Sequence, residues 1–348
     1  MKEPQKQQES AKYPLYACIG MILAWICLFA LVFVTIERNI KNWRREAEQA
    51  RIDFRHIPPE WIAFQQTGIF AVPVEGQATS FAVMGEEFVI GTANPHALAF
   101  VDMSGTLLRQ IELHEEPRAI ALGTADTIFT DRIIIAHSQH LAVYNAQGQI
   151  ETTLPLPRGH ESNVRSLVVT PNYLFVADTF TRQILRFDSD GNHDLTFAPD
   201  DGFIVFVSPI VMTYSPHTDL LYIANPGRHR VDVFTQDGEY KPELIWGEAA
   251  QTLSGFVGCC NPIGLATLDD GRIMTVEKAA SRVKIFRDGE LDSVVAGWST
   301  LENIPREFGR LPMQPSGRDF AAMPLPSGRI AVFDFNYKAL RIFEPAVP

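Results

Sequence analysis

Six copies of a short antiparallel strand unit and one long uncharged apolar stretch predict an all-β, six-bladed β-propeller that is preceded by one transmembrane α-helix. The strand units recur every ~43 to 57 residues, which is the spacing expected for four-stranded propeller blades. The apolar stretch lies near the N-terminus and has the length that a helix needs to cross a bilayer. The chain is therefore expected to contain one membrane segment and one repeat domain.

The composition is that of a globular protein and argues against nucleic-acid binding. The chain has 348 residues, of which 46% are hydrophobic and 20% are charged, so it can bury a large core. Its formal net charge is -11, whereas binding to nucleic acid requires a basic surface that contacts phosphates. We therefore expect no nucleic-acid partner.

The region ahead of the propeller divides into three segments. Residues 1–12 form a polar tail, and Tyr13 to Ile36 carry no charge over about 24 residues, enough for a helix to cross ~30 Å of hydrocarbon. A cleaved signal peptide fits less well, because the apolar run is long and no small-residue cleavage site precedes Glu37. Residues 37–66 are expected to form a juxtamembrane helical stalk and linker, in which Pro58 and Pro59 end the helix.

The charges that flank the apolar segment leave the side of the membrane open. More basic residues follow the segment than precede it, and this distribution taken alone keeps the C-terminal side cytoplasmic. Membrane-anchored propellers in bacteria are commonly exported, and this analogy favours a periplasmic or extracytoplasmic propeller. The sequence therefore predicts a single-pass membrane protein without assigning its orientation.

Two positions mark every copy of the repeat. The third strand of each copy ends near an apolar anchor: Val101, Tyr144, Phe187, Phe234, Phe286 and Phe343. The second strand of each copy ends on a polar residue: Asn94, His137, Asp178, Asn225, Glu277 and Asp334. The two markers lie closer together in the first two copies than in the last four, which predicts tighter hairpins in the first two blades.

These copies resemble the NHL-repeat family. The repeat of that family has a Val-Ala-Asp strand end, a polar loop with Arg, and an Ile-x-Val-Phe strand followed by Asp-x-x-Gly, and VADTFTRQILRFDSDG at residues 176–191 matches it best. IANPGRHRVDVFTQDG and VEKAASRVKIFRDG are recognisable variants. The resemblance covers the chain from about Gly68 and implies a six-bladed propeller over residues 67–348. It implies little about activity, because propellers include binding modules and enzymes alike.

The last copy offers only three strands before the chain ends. An apolar run, GIFAVPV at residues 68–74, precedes the first full blade and has no other partner in the repeat pattern. We expect this run to supply the missing fourth strand, so that the last blade is closed by an N-terminal strand and no edge stays open.

Several charged residues are expected on one face of the ring, at the mouth of its channel, because neighbouring antiparallel strands bring their ends together there. The candidates for ligand binding are Arg118, Arg165, Arg318, His137, Asp178, Glu277 and Asp334. Guanidinium groups match the geometry of carboxylate and phosphate, so the three arginines predict an anionic ligand. The alternative, which the sequence favours, is that each arginine pairs with an acidic strand end of an adjacent blade, since buried charges are normally paired.

The cysteines allow no long-range disulfide framework in the propeller, because two of the four lie in the apolar segment and the others, Cys259 and Cys260, are adjacent. Three interpretations of the adjacent pair stay open: small buried packing residues, a site for a soft metal such as Cu(I) or Zn(II), and a strained vicinal disulfide. Successive side chains of an extended chain point in opposite directions, so joint binding requires a local turn, which Gly258 and Pro262 favour.

The function predicted from the sequence is a membrane-anchored binding or scaffold module that presents its channel face to a protein or a small anionic ligand. The rival prediction is an enzyme, since six-bladed propellers that resemble this one include lyases and lactonases with a metal in the channel. His137, Asp178, Glu277 and Asp334 would then carry the chemistry. A cysteine pair that handles redox or metal chemistry is a third prediction. A cofactor is not assigned, and Cu, Zn or Ca is the metal to consider.

Overall fold

A computed structural model describes residues 55–278, 280–308 and 319–346, together with positions 34–35, 37–38 and 41 of the N-terminal region. The chain forms two compact units, Met1–Asp53 and Phe54–Pro348. The described positions of the first unit are helical, and the second unit holds all the described strands.

The predicted membrane span at residues 13–36 lies almost entirely outside the described residues. Within the part of the chain that is described, no helix combines the length and the apolar character needed to cross a bilayer. The membrane segment therefore stays a prediction.

The second unit is built from short antiparallel strands in six sheets. In chain order the described strands are β1 (Phe64–Ala71), β2 (Gln77–Met84), β3 (Glu87–Ala93), β4 (Ala97–Asp102), β5 (Leu107–Glu112), β6 (Ala119–Leu122), β7 (Ile133–Ala136), β8 (His140–Tyr144), β9 (Ile150–Pro155), β10 (Val164–Val169), β11 (Leu174–Asp178), β12 (Gln183–Phe187), β13 (His193–Phe197), β14 (Met212–Ser215), β15 (Leu220–Asn225), β16 (Arg230–Thr235), β17 (Gly264–Thr267), β18 (Ile273–Glu277), β19 (Arg282–Arg287), β20 (Glu290–Ala296), β21 (Phe320–Pro324), β22 (Ile330–Asp334) and β23 (Ala339–Pro345). The described helical turns of this unit are Pro59–Trp61, which precedes β1, and Gly159–Glu161, Pro226–Arg228, Pro242–Leu244, α1 (Trp298–Leu301), Arg306–Phe308 and Pro326–Gly328, which lie between strands.

Each sheet is one blade of a propeller. Blades 1 to 3 are β2–β5, β6–β9 and β10–β13, blade 4 is β14–β16, blade 5 is β17–β20, and blade 6 combines β21–β23 with β1. The innermost strands contact one another in the order β2, β6, β10, β14, β17 and β21, and β21 contacts β2. The blades therefore form a closed ring, and the predicted all-β, six-bladed propeller is confirmed.

Burial along the blades explains the repeat in the sequence. Second strands such as β11 and β18 are buried along their whole length, because both faces of a blade pack against neighbouring blades. The outermost strands β5 and β9 are mostly exposed and carry polar residues. The anchors Phe187 and Phe234 are 1% and 0% exposed and fill the space between adjacent blades.

The hairpins between second and third strands differ as the spacing of the markers predicts. Residues 94–96 and 137–139 make the connection in blades 1 and 2, whereas the other four blades use one residue more. The last residue of each longer turn adopts the left-handed conformation, with φ of 58° at Arg182, 56° at His229, 45° at Ser281 and 49° at Lys338. The tighter hairpins of the first two blades are therefore confirmed.

The N-terminal strand closes the ring, as predicted. Strand β1 pairs with β23 in antiparallel register from Phe64 opposite Pro345 to Ala71 opposite Ala339. Its bounds differ from the predicted residues 68–74, because the outer face of an edge strand is solvated and tolerates the polar residues 65–67. Val72 and Val74 leave the ladder but stay buried in the core.

Blade 4 departs from the four-stranded pattern. Its outer position is taken by the irregular segment 240–246, which meets β16 through the isolated bridges Val231 to Trp246 and Phe234 to Tyr240. The turn Pro242–Leu244 interrupts this segment, and a proline has no N–H to donate to a ladder. The edge of blade 4 is therefore covered without a regular strand.

The connectors that lead from the outermost strand of one blade to the innermost strand of the next differ greatly in length. Those entering blades 1 to 3 are short: 72–76, 113–118 and 156–163. Those entering blades 4 to 6 are long: 198–211, 236–263 and 297–319, the last of which includes residues outside the described set. The three long connectors enter consecutive blades, so loop length is distributed unevenly around the ring.

Deletion of β1 tests whether this strand stabilises the ring. We expect removal of Phe64–Ala71 to lower the free energy of unfolding by at least about 3 kcal/mol. The deletion removes the buried Phe64 side chain from the core and leaves the edge of β23 unpaired. Urea unfolding followed by circular dichroism measures the change. Gln65→Ala, at an exposed position of the same strand, is the control. A deletion variant with the wild-type midpoint would show that the ring closes without β1.

Candidate functional site

The channel of the ring contains a cavity of about 1050 Å³. The starts of all six innermost strands contribute to its wall, which explains its position on the ring axis. The connector 198–211 covers part of it with residues 205–209, and Lys278 reaches it from the end of β18. A concave space of this size fits a small molecule.

Cationic side chains outnumber carboxylates in the described wall of the cavity. The cations are Arg118, Arg165, Lys278 and Lys338, and the carboxylates are Glu116 and Asp319. This excess of positive charge stands in a chain whose formal net charge is -11. The cavity therefore differs in sign of charge from the protein as a whole.

The two arginines of blades 2 and 3 lack a close carboxylate partner. Arg118 Nε lies 4.0 Å from Glu116 Oε2 and is buried without a hydrogen-bond partner. Arg165 Nε donates to Asn163 Oδ1 at 3.2 Å, and no described carboxylate lies within ion-pair distance of Arg165. The predicted alternative, pairing with acidic strand ends of adjacent blades, is therefore not what the described residues around these two arginines show.

Loss of hydration in the channel lowers the pKa of Arg165, and the nearby Arg118 acts in the same direction while Glu116 opposes it. Desolvation raises the pKa of Asp319, and the charge of Lys278 opposes that shift. Both shifts have the sign expected for charged groups that are short of partners. An anion between Arg118 and Arg165 would relieve their mutual repulsion.

Lys278 is a cavity residue that the sequence patterns did not single out. Its side chain is 7% exposed, and Nζ donates to Ser208 Oγ at 2.8 Å. Ser208 Oγ in turn donates to the carbonyl of Cys260 at 3.0 Å, and the Lys278 N–H donates to Asn261 Oδ1. The sequence signal that could have found Lys278 is its position directly after Glu277. Successive side chains of an extended chain point in opposite directions, so a Glu277 that points into the blade implies a Lys278 that points to the channel.

The acidic and amide strand ends serve the backbone of the connectors. Asp178 Oδ1 accepts from the N–H groups of Asn163 at 2.9 Å and Phe180 at 3.0 Å. Asn225 Oδ1 accepts from the N–H of Ile204 at 3.0 Å. Asp178 and Asn225 are buried and absent from the described cavity wall.

Asp334 ends the second strand of blade 6, and Arg318 precedes the first strand of that blade in the sequence. Asp334 Oδ1 accepts from the N–H groups of Asn336 at 2.9 Å and Tyr337 at 3.1 Å, and the residue is 1% exposed. Arg318 lies outside the described residues. Its neighbour Asp319 lines the cavity.

His137 is packed inside blade 2 and not in the channel. Its Nδ1 donates to the carbonyl of Glu116 at 3.1 Å, and Tyr144 Oη lies 3.4 Å from Nε2. Burial lowers the pKa of His137 below its ordinary value of 6.5, so the neutral form is favoured. The side chain is 2% exposed, which leaves no room for a substrate at this ring.

Glu277 forms a buried ion network with two cations. Arg282 Nη2 lies 2.9 Å and Lys284 Nζ 2.8 Å from its carboxylate, and all three side chains are at most 1% exposed. The N–H of Val257 also donates to Glu277 Oε2, at 3.0 Å. Burial lowers the pKa of Lys284 to about 8, whereas the two cations keep Glu277 ionised. Glu277 therefore supports the connector 236–263 and does not face the cavity.

The adjacent cysteines are both free thiols, one exposed (Cys259) and one buried (Cys260). Burial raises the pKa of the Cys260 thiol. Its carbonyl oxygen connects the pair to the cavity through Ser208, as described above. Among the described residues, no group of three His, Cys, Asp or Glu side chains is placed to hold a metal ion.

Solved propellers share this fold at low sequence identity. A catalytically inactive variant of virginiamycin B lyase from Staphylococcus aureus, solved with quinupristin, aligns with a TM-score of 0.54 at 11% identity over 82% of this chain and 100% of that chain. A streptogramin B lyase aligns with a TM-score of 0.54 at 12% identity over 83% and 100% of the two chains. A protein of unknown function from Bacteroides thetaiotaomicron gives 0.56 at 12% identity over 80% and 76%. No protein-family model and no curated protein matches the sequence.

At these identities the similarity shows the propeller fold alone. It supports neither the NHL-repeat family nor a shared activity. The residues of the channel must therefore carry the functional inference.

Two substitutions in the buried ion network test its structural role. Glu277→Gln leaves Arg282 and Lys284 buried without a counter-ion, so we expect a loss of about 3–5 kcal/mol in the free energy of unfolding. Lys284→Met should cost clearly less, because the remaining Glu277 and Arg282 pair is neutral.

Urea unfolding of both variants measures these costs. Equal losses would show that charge balance is not what stabilises this cluster. An unchanged unfolding midpoint in Glu277→Gln would show that the carboxylate is not needed to stabilise the connector.

Proposed function

We propose that this protein is a binding propeller that holds a small anionic ligand in its channel through Arg118, Arg165 and Lys278. The observation that carries the proposal is that these cations line one cavity, where Glu116, 4.0 Å from Arg118, is the one carboxylate among the described residues within ion-pair distance of any of them. Arg165 is exposed and Arg118 is half-buried, so an anion that enters the channel can accept hydrogen bonds from both guanidinium groups. Arginine forks and a lysine amine can donate to carboxylate or phosphate oxygens.

The cavity also favours a small ligand over a protein as the guest of the channel. Its volume of about 1050 Å³ is close to the upper limit of about 1,000 Å³ for small-molecule sites. Lys278 is too deeply buried to meet a protein surface, since 7% of it is exposed. A protein partner would contact the connectors around the mouth instead.

Substitution of the channel arginines tests this proposal. We expect citrate or inorganic phosphate to bind the wild-type protein, and Arg165→Gln to weaken that binding about ten- to hundredfold through the loss of charged hydrogen bonds. Isothermal titration calorimetry at constant ionic strength measures the affinities. Arg109→Gln is the matched control. Arg109 lies on the outermost strand β5 and pairs with Glu87, so its substitution removes the same charge away from the channel. Wild-type affinity in both Arg165→Gln and Arg118→Gln would overturn the proposal.

A lyase-type enzyme is the second candidate, because the propeller fold that this chain shares with two lyases also serves as a scaffold for enzymes. The residues predicted for such chemistry are His137, Asp178, Glu277 and Asp334, whose side chains hold backbone or ion partners within the blades. Quinupristin separates the two candidates. Its consumption by the purified protein, followed by liquid chromatography, would support the enzyme.

We also propose that the propeller is of the NHL type and is anchored to a membrane by residues 13–36. The support for the anchor is the absence of charge over this apolar stretch. The support for the NHL type is the repeat motif at residues 176–191.

Alkaline carbonate extraction of membranes tests the anchor. We expect the full chain to stay in the membrane pellet, because a spanning helix is not released by high pH, and a variant lacking residues 1–36 to appear in the supernatant. Release of the full chain would rule out a spanning segment. Protease digestion from either side of the membrane then assigns the side on which the propeller lies.

A further inference from the structure

Two large apolar side chains stand exposed at the mouth of the cavity. Phe206 and Val207 are 71% and 70% exposed, and both line the cavity wall. Side chains of this kind gain free energy when they leave water, so their exposure at a binding cavity marks a surface that a guest can cover.

The connector that carries them is fixed on both sides of the exposed pair. Phe203 and Ile210 are 2% and 0% exposed and anchor the segment in the core between blades 3 and 4. The N–H of Ile204 donates to Asn225 Oδ1 at 3.0 Å, and the N–H of Ile210 donates to Thr179 Oγ1 at 3.1 Å. The loop is therefore fixed on both sides of Phe206 and Val207, and it keeps their side chains exposed.

The same connector takes part in the cationic site. Ser208 follows Val207 directly, is 2% exposed, and accepts the hydrogen bond from Lys278 Nζ at 2.8 Å. Its hydroxyl is fixed in turn by the carbonyl of Cys260. An apolar surface and a buried cation are thus contributed by three consecutive residues and their hydrogen-bond partner.

We propose that the ligand of the channel is an amphipathic anion: a phosphate or carboxylate group bound by Lys278 and Arg165, joined to an aromatic or aliphatic body that covers Phe206 and Val207. This inference rests on the proposed function and adds the class of molecule. The excess of cations selects the charged end, and the exposed pair selects the apolar end. The finite volume of the cavity, about 1050 Å³, selects a free small molecule as the source.

Three probes separate the two ends of such a ligand: naphthyl phosphate, inorganic phosphate and naphthol. We expect the full-length protein to bind naphthyl phosphate at least about tenfold more tightly than inorganic phosphate, because the ring covers apolar surface that phosphate cannot reach. Isothermal titration calorimetry measures all three affinities.

Phe206→Ser is expected to remove this advantage and to leave the affinity for inorganic phosphate unchanged. Phe180→Ser is the matched control, because Phe180 is 63% exposed on the same face but is absent from the described wall of the cavity. Both positions are exposed, so neither substitution is expected to alter folding. Arg165→Gln should weaken both anions.

The outcomes distinguish the inference from the function on which it rests. Equal affinities for naphthyl phosphate and inorganic phosphate, with Arg165→Gln still weakening both, would overturn the amphipathic ligand and keep the anion site. Equal loss in Phe206→Ser and Phe180→Ser would likewise overturn it. Naphthol binding as tightly as naphthyl phosphate, or anion binding unaffected by both Arg165→Gln and Arg118→Gln, would overturn the anion site as well.

Discussion

The channel wall depends on one recurring interaction, a polar side chain at the end of a second strand that hydrogen-bonds the backbone of the connector entering the same blade. Asp178 accepts from the N–H of Asn163, Asn225 from Ile204 and Glu277 from Val257. His137 makes the converse bond to a carbonyl of its connector. Without these partners the buried backbone groups of the connectors would be left unsatisfied, and the innermost strands would lose their entry points.

This arrangement separates the residues that hold the wall from those that face the channel. A strand-end side chain such as Asp178 is buried and lies outside the described wall of the cavity, so it does not meet a ligand in the channel. The cations that line the channel lie close to these strand ends. Lys278 follows Glu277 in the sequence, and Arg165 lies two residues after Asn163, whose N–H donates to Asp178. Arg165 lies where the register of β10 with β11 shifts between Val164 and Ser166, and Lys278 lies in the turn after β18, so local departures from the regular strand pattern place both cations at the channel.

The ring was predictable because its signals are periodic and local. The apolar anchors and the polar strand ends such as Asp178 recur in every blade, and an unpaired last blade pointed to β1. The site was predictable only in part. Arg118 and Arg165 were predicted from their position at the starts of innermost strands. A prediction of Lys278 requires knowing that Glu277 points into the blade and not into the channel. Phe206 and Val207 lie in a connector without periodicity, where exposure is set by tertiary anchors that no local pattern records.

The unequal connectors have a consequence for how such a protein can change. The strands close the ring and pack the blades, whereas the longest connectors in the sequence, 198–211, 236–263 and 297–319, lie between blades, and 198–211 lines the cavity with residues 205–209. Lengthening a surface loop costs little free energy, because closure entropy grows slowly with length. Ligand specificity and ring stability therefore depend on different residues. Related propellers can change their connectors, and with them the ligand that they bind, while the blades stay the same.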